Sequence, residues 1–111
     1  MQKIIEELEN RIKTEGIEVV ETLYDGFTYC TALKNQKGFY VVYTTKGFRK
    51  YREDCLKVLF LSEYIPFGDI EPYVGGDFIS PYTKAAFQSR KCIIYYEYYF
   101  SADDVIELLK S

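Results

Sequence analysis

The first apolar residues of the chain recur at helical spacing and form one stripe: Ile4, Ile5, Leu8 and Ile12. The residues between them are mostly charged, which is the pattern of a helix with one buried side. We therefore predict an amphipathic helix over residues 2–14. Gly16 stands where a glycine commonly follows the last helical turn.

The pattern then changes to the alternation that is typical of strands, in the segments 17–24, 27–34 and 39–45. Asp25-Gly26 and the run 35–38 are turn sequences between them, so the three strands are expected to form an antiparallel meander. Alternation predicts the following shared faces: Ile17, Val19 and Leu23; Phe27, Tyr29, Thr31 and Leu33; Phe39, Val41 and Tyr43, with Tyr40 and Val42 opposite.

Residues 49–63 allow two interpretations. A helical stripe would contain Tyr51, Cys55, Val58, Leu59 and Ser62, whereas the run 58–61 would suit a buried strand. The length of the segment and its charged first half favour the helix. The Gly- and Pro-containing segment 64–80 is expected to be irregular, and Ser80-Pro81 is expected to begin a short helix that continues through Phe87.

Residues 91–100 are rich in β-branched and aromatic side chains and predict a strand. The strand is nearly apolar on both faces, which suggests a central strand or a face covered by another chain. Ser101 and Asp104 have the spacing of a capping box, so a last helix is expected over 102–110.

These elements predict one α+β domain spanning residues 1–111, because single domains commonly have about 100–150 residues. The predicted order is α-β-β-β-α-α-β-α. The expected architecture is a four-stranded, mostly antiparallel sheet, made of the meander and the long Tyr-rich strand, with helices packed on one face.

Composition argues against most enzyme classes. The chain has no His, which removes the usual general base near neutral pH and the commonest metal ligand. Cys30, Cys55 and Cys92 are widely spaced and are expected to be buried side chains, without a disulfide or a zinc site. We therefore expect a protein that is not an enzyme and that needs no cofactor.

Other compositional features concern the cellular setting. The longest apolar runs, 58–61 and 93–96, are too short to span a bilayer, and the N-terminal residues do not form a secretory signal. A cytoplasmic location is therefore expected. Only five residues are Asn or Gln, and Glu and Lys are abundant, so the composition resembles that of small proteins from thermophilic archaea and their viruses.

Although the net charge is -3, residues 26–52 contain six bases and no acid. Aromatic residues lie between the bases, and single-stranded nucleic acid is bound by cations that pair with phosphates and by rings that stack on bases. Single-stranded nucleic-acid binding is thus an alternative function, with the candidate residues Lys34, Lys37, Lys46, Arg49, Lys50, Arg52, Tyr40 and Tyr43. The competing interpretation is a structural hairpin whose aromatic residues fill the core.

The strand 91–100 contains four tyrosines that are candidates for an interface: Tyr95, Tyr96, Tyr98 and Tyr99. Tyrosine is enriched in protein interfaces because it combines a large apolar ring with a polar hydroxyl. We therefore expect a small binding or regulatory protein that acts through protein–protein contact, with itself as a homodimer or with another protein. Tyrosines that only direct their hydroxyls to water are the competing interpretation.

A second alternative is a Mg²⁺-dependent nuclease, which needs two or three acids that converge on the metal. Asp77 and Glu97 are the candidate metal ligands. The acid-x-Lys element that commonly accompanies such a site is missing after Glu97, where two tyrosines follow. The acids therefore support a metal site only weakly.

Overall fold

The computed structural model describes residues 2–24, 26, 28–45, 49–50, 53–61, 63–64, 66 and 93–111. Two helices and seven strands are formed within these ranges. In chain order they are α1 (Gln2–Glu15), β1 (Glu18–Tyr24), β2 (Thr28–Asn35), β3 (Gly38–Thr45), β4 (Arg49–Lys50), β5 (Glu53–Asp54), β6 (Leu56–Leu61), β7 (Ile93–Tyr99) and α2 (Ala102–Lys110).

The main sheet is a five-stranded antiparallel meander in the order β1-β2-β3-β6-β7, and β4 and β5 form a separate two-stranded ribbon. The predicted α+β class, the antiparallel meander and both terminal helices are confirmed. The described sheet has five strands, one more than predicted, because β6 takes the place of the helix predicted directly after the third strand. The described chain has a radius of gyration of 13.0 Å, as compact domains of about 100 residues do.

The predicted helix over 49–63 is replaced by strands in the described part of that segment. β6 pairs with β3 through Val41↔Leu59 and with β7 through Leu59↔Tyr96. Five of its six residues are buried, so the strand is covered on both faces. A strand of this kind has no polar side and therefore no period-two alternation in its sequence, which is why its length and charged flank suggested a helix.

β1 also differs from its predicted pattern. The pairing with β2 shifts register between Val19 and Glu21, so Val20 is an additional, bulged residue. A bulge moves the following side chains to the opposite face. Ile17 consequently packs with the helices, whereas Leu23 packs on the other side of the sheet, and the predicted common face of these residues is wrong.

Both helices pack on one face of the sheet, as predicted. The helix-side cluster is formed by Ile4, Ile5, Leu8, Ile12, Tyr29, Leu33, Tyr40, Val42, Leu56, Val58, Ala102, Val105, Ile106 and Leu109. The Tyr29 hydroxyl donates a hydrogen bond to Glu9 and so links β2 to α1. Burial, together with that carboxylate, raises the pKa of Tyr29 well above its usual range.

The helix ends follow from local sequence. Gly16 has a φ of 65°, and its N–H and that of Ile17 donate to the carbonyls of Lys13 and Ile12, as in a Schellman motif. At the start of α2, the Ser101 hydroxyl accepts a hydrogen bond of 3.2 Å from the Asp104 N–H. This is the N-cap that the spacing of these two residues predicts.

The other face of the sheet is buried as well. Its far-side cluster consists of Cys30, Ala32, Val41, Tyr43, Leu59 and Leu61, all at most 3% exposed. Partly buried residues that pack against this cluster are Val20, Leu23, Phe39 and Tyr64. The alternation predicted for Phe39, Val41 and Tyr43 against Tyr40 and Val42 is confirmed by their membership of the two clusters.

The β2–β3 turn is fixed by one side chain. The Asn35 Oδ1 atom accepts hydrogen bonds from the N–H groups of Lys37 (2.8 Å) and Gly38 (3.2 Å), and its Nδ2 donates to the carbonyl of Leu109 (2.9 Å). Asparagine is favoured in turns because its side chain can replace backbone hydrogen-bond partners in this way. The same residue therefore closes the hairpin and holds the end of α2 against it.

Gly38→Ala is expected to destabilise the protein more than Gly16→Ala. Both glycines have positive φ, which costs a non-glycine residue about 1–2 kcal/mol. A Cβ at Gly38 would lie 3.2 Å from the Phe60 ring, whereas one at Gly16 would have no neighbour within 4 Å. The ring must therefore give by a few tenths of an ångström, which adds to the cost of the positive φ at Gly38. Chemical denaturation of the two variants measures the difference, and an equal or smaller loss at Gly38 would contradict this account.

Some sequence predictions fall on residues outside the described ranges. These are the short helix from Ser80 to Phe87, the irregular segment 64–80 apart from Tyr64 and Pro66, and the residues on either side of Gly26 at the predicted Asp25-Gly26 turn. Among the helices that are described, none combines the length and the apolar character needed to cross a membrane.

Candidate functional site

The strand β7 lies at an edge of the sheet. It pairs with β6 on one side, and no other described strand lies beside it. Of the two alternatives that the sequence left open, a central strand or a face covered by another chain, the described sheet does not show the first. An edge strand presents a row of backbone N–H and C=O groups that another strand can pair with.

Most of β7 has regular geometry. Its pairing with β6 shifts register between Phe60 and Leu61, which leaves Ile94 as a bulged residue near the start of the strand. The run from Tyr95 to Tyr99 pairs without interruption. The candidate residues Tyr95, Tyr96 and Tyr98 lie in this run, and Tyr99 is half-buried against the helix-side cluster.

The opposite edge of the sheet, β1, has a different character. Its bulge at Val20 divides the strand, and Glu18 and Glu21 place two acids along seven residues. Bulges and charged side chains are the features with which proteins protect edge strands from pairing with other chains. Tyr24, at the end of β1, donates a hydrogen bond of 2.8 Å to Gln2 of α1. The two edges therefore differ in their suitability for a partner strand.

The residues of the basic block are distributed over several elements. Lys34 and Lys37 are exposed at the β2–β3 turn, Arg49 and Lys50 form β4, and Lys46 and Arg52 lie outside the described residues. Tyr40 and Tyr43 are each 3% exposed and belong to the clusters on opposite faces of the sheet. Stacking on a base needs an open ring face, so these two rings do not contribute a platform in this arrangement.

An open cleft of about 620 Å³ lies beside the β2–β3 turn. Three segments line it, which are residues 16–18, residues 34–37 and residues 109–111. Lys34 and Lys37 thus meet Lys110, a third base that belongs to α2. The sequence predicts the turn and the helix separately, but it contains no signal that the two are adjacent in space.

An ionic network joins the two helices beside this cleft. Glu15 accepts from Arg11 and from Lys110 at 3.2 Å each, and Arg11 also pairs with Asp103. The hydrogen bond and charge of Lys110, followed by those of Arg11, lower the pKa of Glu15. Because these groups are partly exposed, solvent screening limits their contribution to stability.

Replacing Lys110 by Gln is expected to raise the pKa of Glu15 towards its usual range. A lowered carboxyl pKa contributes stability above the ordinary titration range of glutamate, and that contribution is lost as the pH falls through the lowered pKa. An NMR titration of the Glu15 carboxyl carbon in both proteins measures the change. Lys3→Gln, which leaves the network intact, should not change the titration, and an unchanged midpoint in the Lys110 variant would refute the assignment.

Glu21 affects two polar groups at the far-side cluster, the Cys30 thiol and the Tyr64 hydroxyl. Burial raises the pKa of the Cys30 thiol, and the Glu21 carboxylate raises it further. Burial and Glu21 also raise the pKa of Tyr64, whose buried hydroxyl makes no standard hydrogen bond to the described residues. A thiol and a phenol in these environments stay protonated at neutral pH and are poor nucleophiles.

The structure does not test the two candidate metal ligands as a pair. Asp77 lies outside the described residues, and Glu97 is placed only by its backbone, which pairs with Val58. Within the described ranges, no group of three or more acidic or Cys side chains is arranged to hold a metal ion.

Comparison with known proteins yields no relative. No protein-family model, curated protein or solved structure matches the chain.

Proposed function

We propose that this is an intracellular binding protein that works as a homodimer, with the two copies joined edge to edge along β7. The observation that carries the proposal is the position of this Tyr-rich strand at the edge of the described sheet. Pairing of two edges would extend the antiparallel sheet across both subunits. This mode of association is called strand addition, and its affinity comes from main-chain hydrogen bonds.

The sequence of β7 supports this mode of association. Six of its seven residues are Ile or Tyr, and β-branched and aromatic residues favour strands and cross-strand contacts. Glu97 is its one charged residue. β1 carries two acids, Glu18 and Glu21, and its bulge at Val20 lies within the strand.

A symmetric pair of β7 strands has a limited choice of register. Residues directly opposite each other in an antiparallel pair either both direct their N–H and C=O groups towards the other strand or both direct them away. This orientation alternates along a strand. When the strand pairs with its own copy, the pair must therefore be centred on one residue, which lies opposite the same residue of the partner subunit. A centre at Glu97 would oppose two carboxylates, which is unfavourable, whereas a centre at Tyr96 places Glu97 opposite Tyr95 of the partner subunit. We expect the Tyr96-centred register.

The mass of the protein in solution tests the proposed dimer. Size-exclusion chromatography with light scattering should give twice the chain mass of 13.1 kDa. The fraction of dimer should fall on dilution, because mass action governs a non-covalent pair. A single species with the mass of one chain at all concentrations examined would contradict the proposal.

Cysteine cross-linking tests the register. In a background in which Cys92 is replaced by Ser, Tyr96→Cys places two thiols opposite each other at a Cα separation of about 4.5–5.5 Å, within the range of a disulfide. Tyr98→Cys is the matched control, since its two copies would be well beyond that range. Cross-linking of the control but not of the Tyr96 variant would show a different register.

A further inference from the structure

We infer that the cleft between the β2–β3 turn and the end of α2 is a binding site for the phosphate group of a small ligand. The inference is independent of the proposed dimer, because its residues belong to the turn, to α2 and to the α1–β1 connection rather than to β7. A volume of about 620 Å³ lies in the range of small-molecule sites.

Four carbonyl groups at the helix ends near the cleft accept hydrogen bonds within the protein. The carbonyls of Ile12 and Lys13 accept from residues 16 and 17, and that of Leu109 accepts from Asn35. The carbonyl of Leu108 accepts from the Ser111 hydroxyl at 2.7 Å. These four carbonyls therefore do not require a cation or a donor from a ligand.

The lysines that line the cleft differ in whether they form an ion pair. Neither Lys34 nor Lys37 forms an ion pair with a described residue, and the Lys34 ammonium lies 5.5 Å from the centre of the Phe39 ring. Lys110 is paired with Glu15, and Glu18 is the acid that lines the cleft itself. Counted over the described side chains that line the cleft, the two lysines without an ion pair exceed the single carboxylate of Glu18, so these side chains favour an anion.

The shape of the cleft favours an anion attached to a larger group over a bare ion. Ile17 and Leu109 contribute apolar surface beside the lysines. Ligand sites commonly combine such apolar lining with a few polar groups that fix orientation. A phosphate monoester with an organic portion, such as a nucleoside monophosphate, has this combination of groups. Lysine binds phosphate as a point charge, and two lysines suit its double negative charge.

NMR titration of the full chain at low salt tests the inference with three probes: AMP, inorganic phosphate and adenosine. AMP should shift the amide signals of residues 16–18, 34–37 and 109–111 in a saturable manner at concentrations up to ~10 mM. Adenosine, which lacks the phosphate, should not shift them. If inorganic phosphate gives saturable shifts with the same affinity as AMP, the free ion is the ligand. If inorganic phosphate binds more weakly than AMP, the organic monoester is the ligand.

Charge variants make the test specific. The dissociation constant of AMP should rise at least tenfold in the double variant Lys34→Gln with Lys37→Gln. The control, Lys3→Gln with Lys13→Gln, changes the net charge equally at exposed positions of α1 that do not line the cleft and should retain wild-type affinity. No saturable shift in the wild type, equal shifts with adenosine, or equal weakening in both double variants would each overturn the inference.

Discussion

Replacing Tyr95 and Tyr96 by proline, one at a time, is expected to give one variant that is folded but forms a weaker dimer and one that is destabilised. Proline removes a backbone N–H, and the direction of that group alternates along a strand. One of the two adjacent substitutions therefore removes an outward N–H, while the other removes a hydrogen bond to β6. A symmetric pair loses two inter-subunit bonds of about 1 kcal/mol each, so the dimer should weaken by roughly tenfold to a hundredfold.

Light scattering and thermal unfolding of both proline variants measure these outcomes. The corresponding pair on the other edge, Thr22→Pro and Leu23→Pro, is the control, because β1 takes no part in the proposed interface. Any of these control variants that folds should retain the dimer mass. If both β7 variants fold and stay dimeric, the interface is elsewhere.

The second large effect concerns the core on both faces of the sheet. Leu56 and Leu59 lie three residues apart on β6, are both fully buried, and belong to the helix-side and far-side clusters respectively. Leu56→Ala and Leu59→Ala should therefore each reduce the free energy of unfolding by about 2–5 kcal/mol.

Chemical denaturation of the two leucine variants measures these losses. Glu7→Ala, an exposed position on α1, is the control and should stay within about 0.5 kcal/mol of the wild type. A small effect at Leu59 with a large effect at Leu56 would show that the far side of the sheet is open in solution.

The sequence predicts the elements whose signals are local. The apolar stripe of α1, the glycine after it and the Ser101 cap of α2 each act within a few residues, and the structure confirms them. The β2–β3 turn is predicted for the same reason, because Asn35 and Gly38 supply its hydrogen bonds and its positive φ themselves.

Features that depend on distant parts of the chain could not be predicted in this way. β6 is buried on both faces only because the sheet has a core on each side, so its sequence has no alternation. The bulge at Val20 is visible only in the pairing with β2. The position of β7 at the edge of the described sheet is also set by pairing, since a strand that is apolar on both faces suggests a central place.

The set of residues that line the candidate cleft could not be predicted from the sequence either. Asn35 and Leu109 are separated by 74 positions, and their hydrogen bond brings the turn lysines to the end of α2. The basic block, with its neighbouring aromatic residues, suggested Lys34 and Lys37 as residues that bind single-stranded nucleic acid. That Lys110 and Glu18 line the same cleft follows only from the packing of α2 against the sheet.

Hydrogen exchange of the β7 amides in the wild-type protein tests the central claim most directly. In a dimer joined along β7, the amides from Tyr95 to Tyr99 should all be protected, with one half bonded to β6 and the other half bonded to the partner subunit. The protection of alternate amides should weaken on dilution as the dimer dissociates. The contrary result is rapid exchange of alternate β7 amides at every concentration while the β6 amides stay protected. That result would show a free edge and contradict the account.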